Sequence, residues 1–205
     1  YGVRKHLLEY DRVMNEQREV IYDERYKSLR NEDLKENILT MAQTVINNTV
    51  DSYTQGIESS EEWDLSAMME HLYSIIPLEG ISFSAQEREN LTTDSVKEDL
   101  YQAAVKLYDQ REKELGSQVR EIERVILLKI IDQKWMDHID NMEQMRQGIG
   151  LRAYGQRDPL VEYKFAGFDM FEEMSYAIMQ DTVKAMYHVR IAEDQEIKRE
   201  HVVQP

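Results

Sequence analysis

Asp137, His138 and Asp140 are side chains of types that bind metal ions, and they lie close together in the sequence. On a helix, ligands that share one face need a spacing of three or four residues. Asp137 and Asp140 have that spacing, but His138 falls outside the pair. We therefore predict a solvent-exposed helix face here and no metal site. The other four histidines are scattered and have no motif around them.

Nucleotide-binding motifs are absent from the sequence. The P-loop pattern G-x-x-x-x-G-K-[ST], whose backbone cradles phosphates, does not occur, and no Gly-rich dinucleotide loop follows a strand. The many Asp and Glu pairs serve equally well as surface charge. We predict that the chain has no catalytic, cofactor-binding or metal-binding residues and is not itself an enzyme. A hydrolase with an unrecognised carboxylate pair is the weakest alternative.

A short basic segment stands out in an acidic chain. Residues 146–164 include four basic and two acidic side chains, which gives a local charge of +2 in a chain whose net charge is −15. Three glycines lie within this segment, together with Leu151, Arg152, Tyr154 and Arg157. An exposed aromatic ring among arginines suits sequence-tolerant contact with a polypeptide. Tyr154 could equally fold back as a helix cap or onto the core, and the residues alone leave both alternatives open.

Long helices must present this segment, because glycine and proline are scarce and cluster in few places. A stripe at helical spacing predicts a first helix to about Arg30. Residues from about Ser117 to Gln147, and those after Pro159, predict two more long helices around a glycine-containing loop. The pattern predicts an all-α fold with an antiparallel two-helix hairpin whose tip spans about residues 148–158. The apolar stripes predicted for the two arms are Ile122, Val125, Ile126, Leu128, Ile131, Trp135, Ile139, Met142 and Met145, and Phe168, Phe171, Met174, Ile178, Val183 and Met186.

The middle of the chain is more broken. Leu34 begins an apolar stripe that predicts a helix, and a short helix should end before Pro77. Residues 78–91 indicate a loop with at most one turn, after which Thr93 or Asp94 should cap a third helix. We predict a small helical subdomain between the longer helices.

Composition narrows the class of partner. A net charge of −15 disfavours nucleic acid and anionic membrane surfaces. No cysteine is present, and no apolar run approaches the roughly 18 residues of a membrane span. The sequence predicts a soluble, cytoplasmic protein. Because the chain opens on Tyr1 and runs straight into a helical pattern, we expect it to be a fragment of a longer protein.

Two runs of sequence carry a resemblance to a known family. LLEYDRVMNEQREVIYDERY (Leu7 to Tyr26) resembles the start of the long scaffold helix of SecA, the bacterial preprotein translocase ATPase family. IDQKWMDHIDNMEQMRQGIGLRAYGQRDPLVEYKFAGFDMFEEM (Ile131 to Met174) resembles that family's two-helix finger. The resemblance covers nearly the whole chain in the right order and is weakest in the middle.

The resemblance implies a domain organisation. Residues 1–32 and 116–205 would form the helical scaffold domain, and residues 33–115 the helical wing domain. The scaffold helix would contact the nucleotide-binding domains of the same parent chain, through Asp11, Arg12, Asn15, Gln17 and Arg18. The finger tip would contact an unfolded preprotein and the SecYEG channel, with Tyr154 as the family's tip aromatic, beside Leu151, Arg152 and Arg157.

The same resemblance implies a role without cofactors of its own. ATP and Mg would bind in parent domains that this sequence does not contain, and zinc in a cysteine-rich tail that it also lacks. The fragment would couple ATP-driven motion to preprotein movement and restrain ATPase activity. It would work in the cytoplasm and at the cytoplasmic side of the bacterial cell membrane. Self-association through exposed apolar faces is a further expectation.

Three positions depart from the family pattern. Arg12 stands where the family usually has aspartate, Gly150 where histidine is common, and Gly155 where alanine is frequent. The glycines enlarge the backbone freedom of the tip. The rival interpretation is a free-standing helical adaptor that binds partner helices, which would explain the amphipathic helices and the acidic charge equally well.

Overall fold

A computed structural model of the chain describes residues 2–30, 34–151 and 158–192, apart from the side chain of Val3. Within these ranges the chain is helical and has no β-strand, which confirms the predicted all-α fold. None of the described helices is long and apolar enough to cross a membrane. The helices are α1 (Gly2–Arg30), α2 (Leu34–Thr54), α3 (Leu65–Tyr73), α4 (Ala85–Arg88), α5 (Thr93–Leu115), α6 (Val119–Leu151) and α7 (Pro159–His188), with 3-10 turns at Ser60–Glu62 and Gly116–Gln118.

The hairpin consists of α6 and α7, which run antiparallel as predicted. Lys134 pairs with Asp181 (Nζ–Oδ2 2.9 Å) toward one end, and Ile149 packs with Tyr163 near the other. With 33 residues, α6 is about 50 Å long. The hairpin therefore extends well beyond the subdomain at its base.

Helix α1 lies along the hairpin and contacts both arms. Arg25 pairs with Asp132 of α6 (Nε–Oδ1 2.8 Å), and Lys164 of α7 pairs with Glu9 (Nζ–Oε2 3.5 Å). These pairs place α1 antiparallel to α6 and parallel to α7. Between them, a cluster centred on Ile21, with Leu127, Ile131, Trp135, Met174 and Ile178, joins the three helices.

The first arm is longer than the sequence predicted. We expected it to end near Gln147, but α6 continues through Gly148 and Gly150 to Leu151. A glycine inside a helix costs about 1 kcal/mol relative to alanine. Burial of Ile149, which is 4% exposed and packs with Tyr163, compensates for this cost.

Two members of the predicted apolar stripes are exposed. Val125 is 54% exposed on α6, and Phe168 is 62% exposed on α7. Phe168 lies one residue, about 100° of helix, after the buried Gly167, and Val125 lies two residues from the buried Glu123 and Leu127. The buried face of each arm includes polar or small residues among its apolar ones, which makes it harder to recognise in the sequence. The buried residues are Val119, Glu123, Leu127, Ile131, Trp135, His138 and Met142 on α6, and Tyr163, Gly167, Met174, Ile178 and Thr182 on α7.

The middle of the chain forms α2 to α5, with α4 as the single turn of the long loop, while its assignment as a separate domain stays a prediction. The cap of α5 is Thr92, one residue before the predicted Thr93 or Asp94. Thr92 Oγ1 accepts from the Ser95 backbone N–H (3.0 Å), and the Ser95 hydroxyl bonds back to the Thr92 backbone. Residues 31–33, which precede α2, lie outside the described residues.

The core of this subdomain continues into the base of the hairpin. Val183, Met186 and Tyr187 of α7 are buried together with residues of α2, α3 and α5. The Tyr187 hydroxyl donates to the Ala104 carbonyl oxygen of α5 (2.8 Å). The last two turns of α7 therefore belong to the same packed core as the inserted helices.

A buried polar network reinforces this junction. Glu123 of α6 is fully buried, accepts from the Tyr108 hydroxyl of α5 (3.0 Å) and pairs with Arg120. Arg120 also pairs with Glu112, which in turn bonds Lys35 Nζ of α2 (2.9 Å). Burial, together with the negative charge of Glu123, raises the pKa of Tyr108, so its hydroxyl stays protonated. The network links α2, α5 and α6.

Truncation of Trp135 tests whether the hairpin core carries stability. Trp135 is 7% exposed, so Trp135→Ala should lower the free energy of unfolding by about 3–5 kcal/mol. Met136→Ala is the matched control, because Met136 is the next residue on the same helix and is 67% exposed. Urea unfolding measures both. Equal losses in the two variants would contradict the described packing of α6.

Candidate functional site

The hairpin tip is bounded by two well-defined helix ends. Helix α6 ends at Leu151, whose side chain is 83% exposed. Helix α7 begins with Pro159, and Asp158 caps it by accepting from the Leu160 backbone N–H (3.0 Å). The predicted contact residues Arg152, Tyr154 and Arg157 lie outside the described residues. Of the predicted tip set, the structure therefore places Leu151 alone, on the surface.

A compact aromatic base supports the tip. Tyr163 is buried with Ile149 and Met142, and its ring meets that of Tyr10 of α1 edge to face, with centroids 4.8 Å apart. Burial raises the pKa of Tyr163 to about 12, so its hydroxyl is neutral at physiological pH. The ends of α6, α7 and α1 are thus held together next to the tip.

Most residues predicted to contact the nucleotide-binding domains lie on the free surface of α1. Asp11 and Asn15 are exposed, and Arg12 pairs with Glu16 within the helix (Nε–Oε1 3.1 Å). Arg18 is partly exposed and donates to Asn15 Oδ1 (3.1 Å). Their contact with another domain remains a prediction.

Gln17 is placed differently from the rest of that set. It is 8% exposed and faces the hairpin. Its Nε2 donates to the Gly167 carbonyl oxygen of α7 (3.1 Å), and its Oε1 lies 2.6 Å from His138 Nε2 of α6. The side chain is thus engaged within the chain, at the crossing of all three long helices.

The prediction of a solvent-exposed His138 is wrong. His138 is 3% exposed, and its ring lies between those of Trp135 and Phe171, with centroid distances of 5.5 and 5.8 Å. Burial lowers the pKa of His138. The signal was present in the spacing, because His138 lies three residues after Trp135 and four before Met142. Asp137 and Asp140 are exposed as predicted.

A groove runs beside this crossing, between α1 and α7. Its volume is about 600 Å³, and it is open to solvent. Val13, Val20, Phe168 and Phe171 provide its apolar lining, and the charged residues at its edges are Glu9, Arg12, Glu16, Lys164 and Glu172. Such a surface suits binding of another polypeptide.

Over residues 2–30, 34–151 and 158–192, no three or more His, Asp or Glu side chains are grouped to hold a metal ion. The buried titratable groups His138, Glu123 and Tyr108 are engaged in hydrogen bonds between helices.

Comparison with known proteins gives a consistent result. A family model described as the SecA wing and scaffold domain matches residues 1–190. Protein translocase subunit SecA 1 of Alkaliphilus metalliredigens is 46% identical over 100% of this chain and 23% of its own length. Protein translocase subunit SecA of Pelotomaculum thermopropionicum is 46% identical over 96% of this chain and 22% of its own length. The chain therefore spans under a quarter of the length of these curated relatives.

The buried histidine predicts a specific dependence of stability on pH. An unfolded histidine has a pKa of about 6.5, and burial holds that of His138 below this value in the folded chain. Between the two pKa values the unfolded state binds more protons, so stability falls as pH decreases below about 6.5. The slope contributed by this group approaches about 1.4 kcal/mol per pH unit.

His138→Gln should remove that component of the pH dependence, whereas His71→Gln, at an exposed position, should leave it in place. Urea unfolding at several pH values between 5 and 8 measures both, a range chosen to bracket the titration of histidine. If the free energy of unfolding fell equally at low pH in the wild type and in His138→Gln, the pH dependence could not be assigned to His138.

Proposed function

This chain belongs to the SecA wing and scaffold family, and we propose that it is the non-catalytic part of a protein translocase that couples ATP-driven motion to movement of a preprotein. The relatives are named as protein translocase subunits. The chain matches only a part of them, so ATP hydrolysis would reside in other parts of the parent protein.

The observation that supports the proposal most strongly is that α1 packs along both arms of the hairpin. Contacts occur near Glu9, at Gln17 and near Arg25, so they extend over most of a helix about 43 Å long. A displacement of α1 would therefore move the hairpin with it. The exposed face of α1, with Asp11, Arg12, Asn15 and Arg18, would receive that displacement from the nucleotide-binding domains.

The tip of the hairpin would contact the unfolded preprotein and the SecYEG channel. The arginines and Tyr154 of residues 146–164 suit a polypeptide of variable sequence, because arginine bonds carbonyl oxygens and an aromatic ring buries apolar area with few rotors. The fragment would act at the cytoplasmic side of the membrane. Through its contact with the nucleotide-binding domains, it would also restrain their ATPase activity.

The groove between α1 and α7 would also suit a free-standing adaptor that binds partner helices. Both functions require exposed apolar surface on the long helices, which Leu8, Tyr22, Tyr26 and Phe165 supply. A family match over nearly the whole chain favours the translocase. The adaptor would function without any motor domain, so the two are separable by experiment.

Substitution at the tip tests the proposal. In a full-length SecA protein whose wing and scaffold segment is this chain, Tyr154→Ala should reduce the rate of preprotein translocation by at least about tenfold, corresponding to about 1.4 kcal/mol of lost contact. Its urea unfolding midpoint should stay unchanged. The assay measures preprotein protected from protease inside vesicles that contain SecYEG.

Tyr73→Ala is the matched control, because Tyr73 is an exposed tyrosine on α3, away from the hairpin. Its translocation rate should equal that of the wild type. Wild-type translocation by Tyr154→Ala would remove the tip from the mechanism.

A further inference from the structure

A single amide side chain bonds both arms of the hairpin to α1. Gln17 projects from α1 into the space between α6 and α7, where its Nε2 reaches the Gly167 carbonyl oxygen (3.1 Å) and its Oε1 reaches His138 Nε2 (2.6 Å). Of the described side-chain hydrogen bonds between α1 and the hairpin, these two are buried, whereas those of Arg25 and Lys164 are partly or fully exposed.

The chemistry allows the amide only one orientation. The Gly167 carbonyl oxygen can only accept, so the amide NH₂ must face it and the amide oxygen must face His138. His138 Nε2 must then carry the proton and donate. Burial keeps the imidazole neutral, which is compatible with that tautomer. A reversed amide would set its oxygen against the Gly167 carbonyl, two acceptors with no proton between them.

Glycine at position 167 permits the close approach that this arrangement needs. A Cβ atom there would lie 2.8 Å from Met142 Cε and 3.8 Å from Gln17 Nε2. A side chain at this position would therefore force the terminal methyl of Met142 on α6 to move, at the point where the three helices meet. The carbonyl oxygen of Gly167 has a second lone pair, so it can accept from Gln17 in addition to its helical bond.

The remaining contacts of α1 define its axial position less sharply. Apolar contacts through Met14 and Ile21 tolerate small shifts, and exposed ion pairs have long side chains that follow a moving partner. The amide bonds are directional and lie in a low-dielectric interior. A shift by one helical turn, about 5.4 Å, would leave the Gln17 amide and the His138 N–H buried without partners.

We propose that Gln17 is a positioning residue that fixes the axial register of α1 against both arms of the hairpin. A force on α1 then moves the hairpin with it, and α1 does not slide along the hairpin. The mechanical consequence rests on the proposed function above, while the register itself is a property of this chain. Gln17 touches neither nucleotide nor preprotein in this role. It acts through His138 and Gly167.

The register is measured first, in the 205-residue chain, by the distance between two spin labels. The sequence has no cysteine, so Glu19→Cys on α1 and Asp140→Cys on α6, both at exposed positions, give one labelled pair. The parent chain should show one narrow distance. Gln17→Leu, which keeps an apolar volume but removes both hydrogen bonds, should add a second population displaced by about one helical turn.

Two further variants separate register from stability. Gln17→Leu combined with His138→Phe replaces both partners by apolar groups, so it should regain thermal stability without regaining the single register. Gln133→Leu makes the same change at an exposed glutamine of α6 and should keep the parent distance. One unchanged narrow distance in Gln17→Leu, or return of the single register together with stability in the double variant, would overturn the assignment.

The consequence is then measured in full-length SecA carrying this chain, as preprotein translocated per ATP hydrolysed. Gln17→Leu should lower this ratio by about fivefold while ATP hydrolysis continues, since a typical coupling between sites is of that size or larger. An unchanged ratio despite an altered register would overturn the mechanical role. Absence of translocation by the unmodified protein, with the spin-label result intact, would instead contradict the proposed function and leave the register assignment standing.

Discussion

The three long helices bury apolar side chains against one another along the length of the hairpin. Helix α6 packs on α7 to make the hairpin, and α1 lies over both, through the cluster centred on Ile21 and the aromatic pair of Tyr10 and Tyr163. Isolated helices of this kind are marginal in water, so their length depends on this mutual burial. The position of the tip, the exposed face of α1 and the groove beside it all follow from the same packing.

The inserted helices extend that packing at the base of the hairpin. Tyr187 and its neighbours on α7 are buried among α2 and α5, and Glu123 of α6 is held by Tyr108 and Arg120. A buried carboxylate is costly unless it is paired and hydrogen-bonded, as this one is. The base of the hairpin is therefore anchored in a second core, while its tip extends away from that core. This arrangement suits a hairpin that is fixed at its base and contacts other molecules at its tip.

Much of this architecture was predictable from the sequence, and the errors have a common physical origin. Apolar residues at helical spacing predicted α1, α6 and α7, because this spacing reports the buried face of a helix directly. Some buried apolar positions, such as Leu127 and Tyr163, were missed, and other missed positions carry polar or small residues, such as Gln17, His138 and Gly167. Such residues enter a core only when partners on other helices satisfy them, and no pattern within one helix reveals those partners. The exposed Phe168 shows the converse, since an apolar residue need not be buried.

Site-specific photocrosslinking from position 154 tests the central claim most directly, that the hairpin is the end of this chain that works on a translocating polypeptide. The experiment uses full-length SecA carrying this chain, stalled on a preprotein in membranes that contain SecYEG. The account predicts crosslinks from position 154 to the preprotein or the channel, and none from the same photoreactive residue at position 73 on α3. A folded, membrane-bound protein that forms no crosslink from position 154 would contradict it.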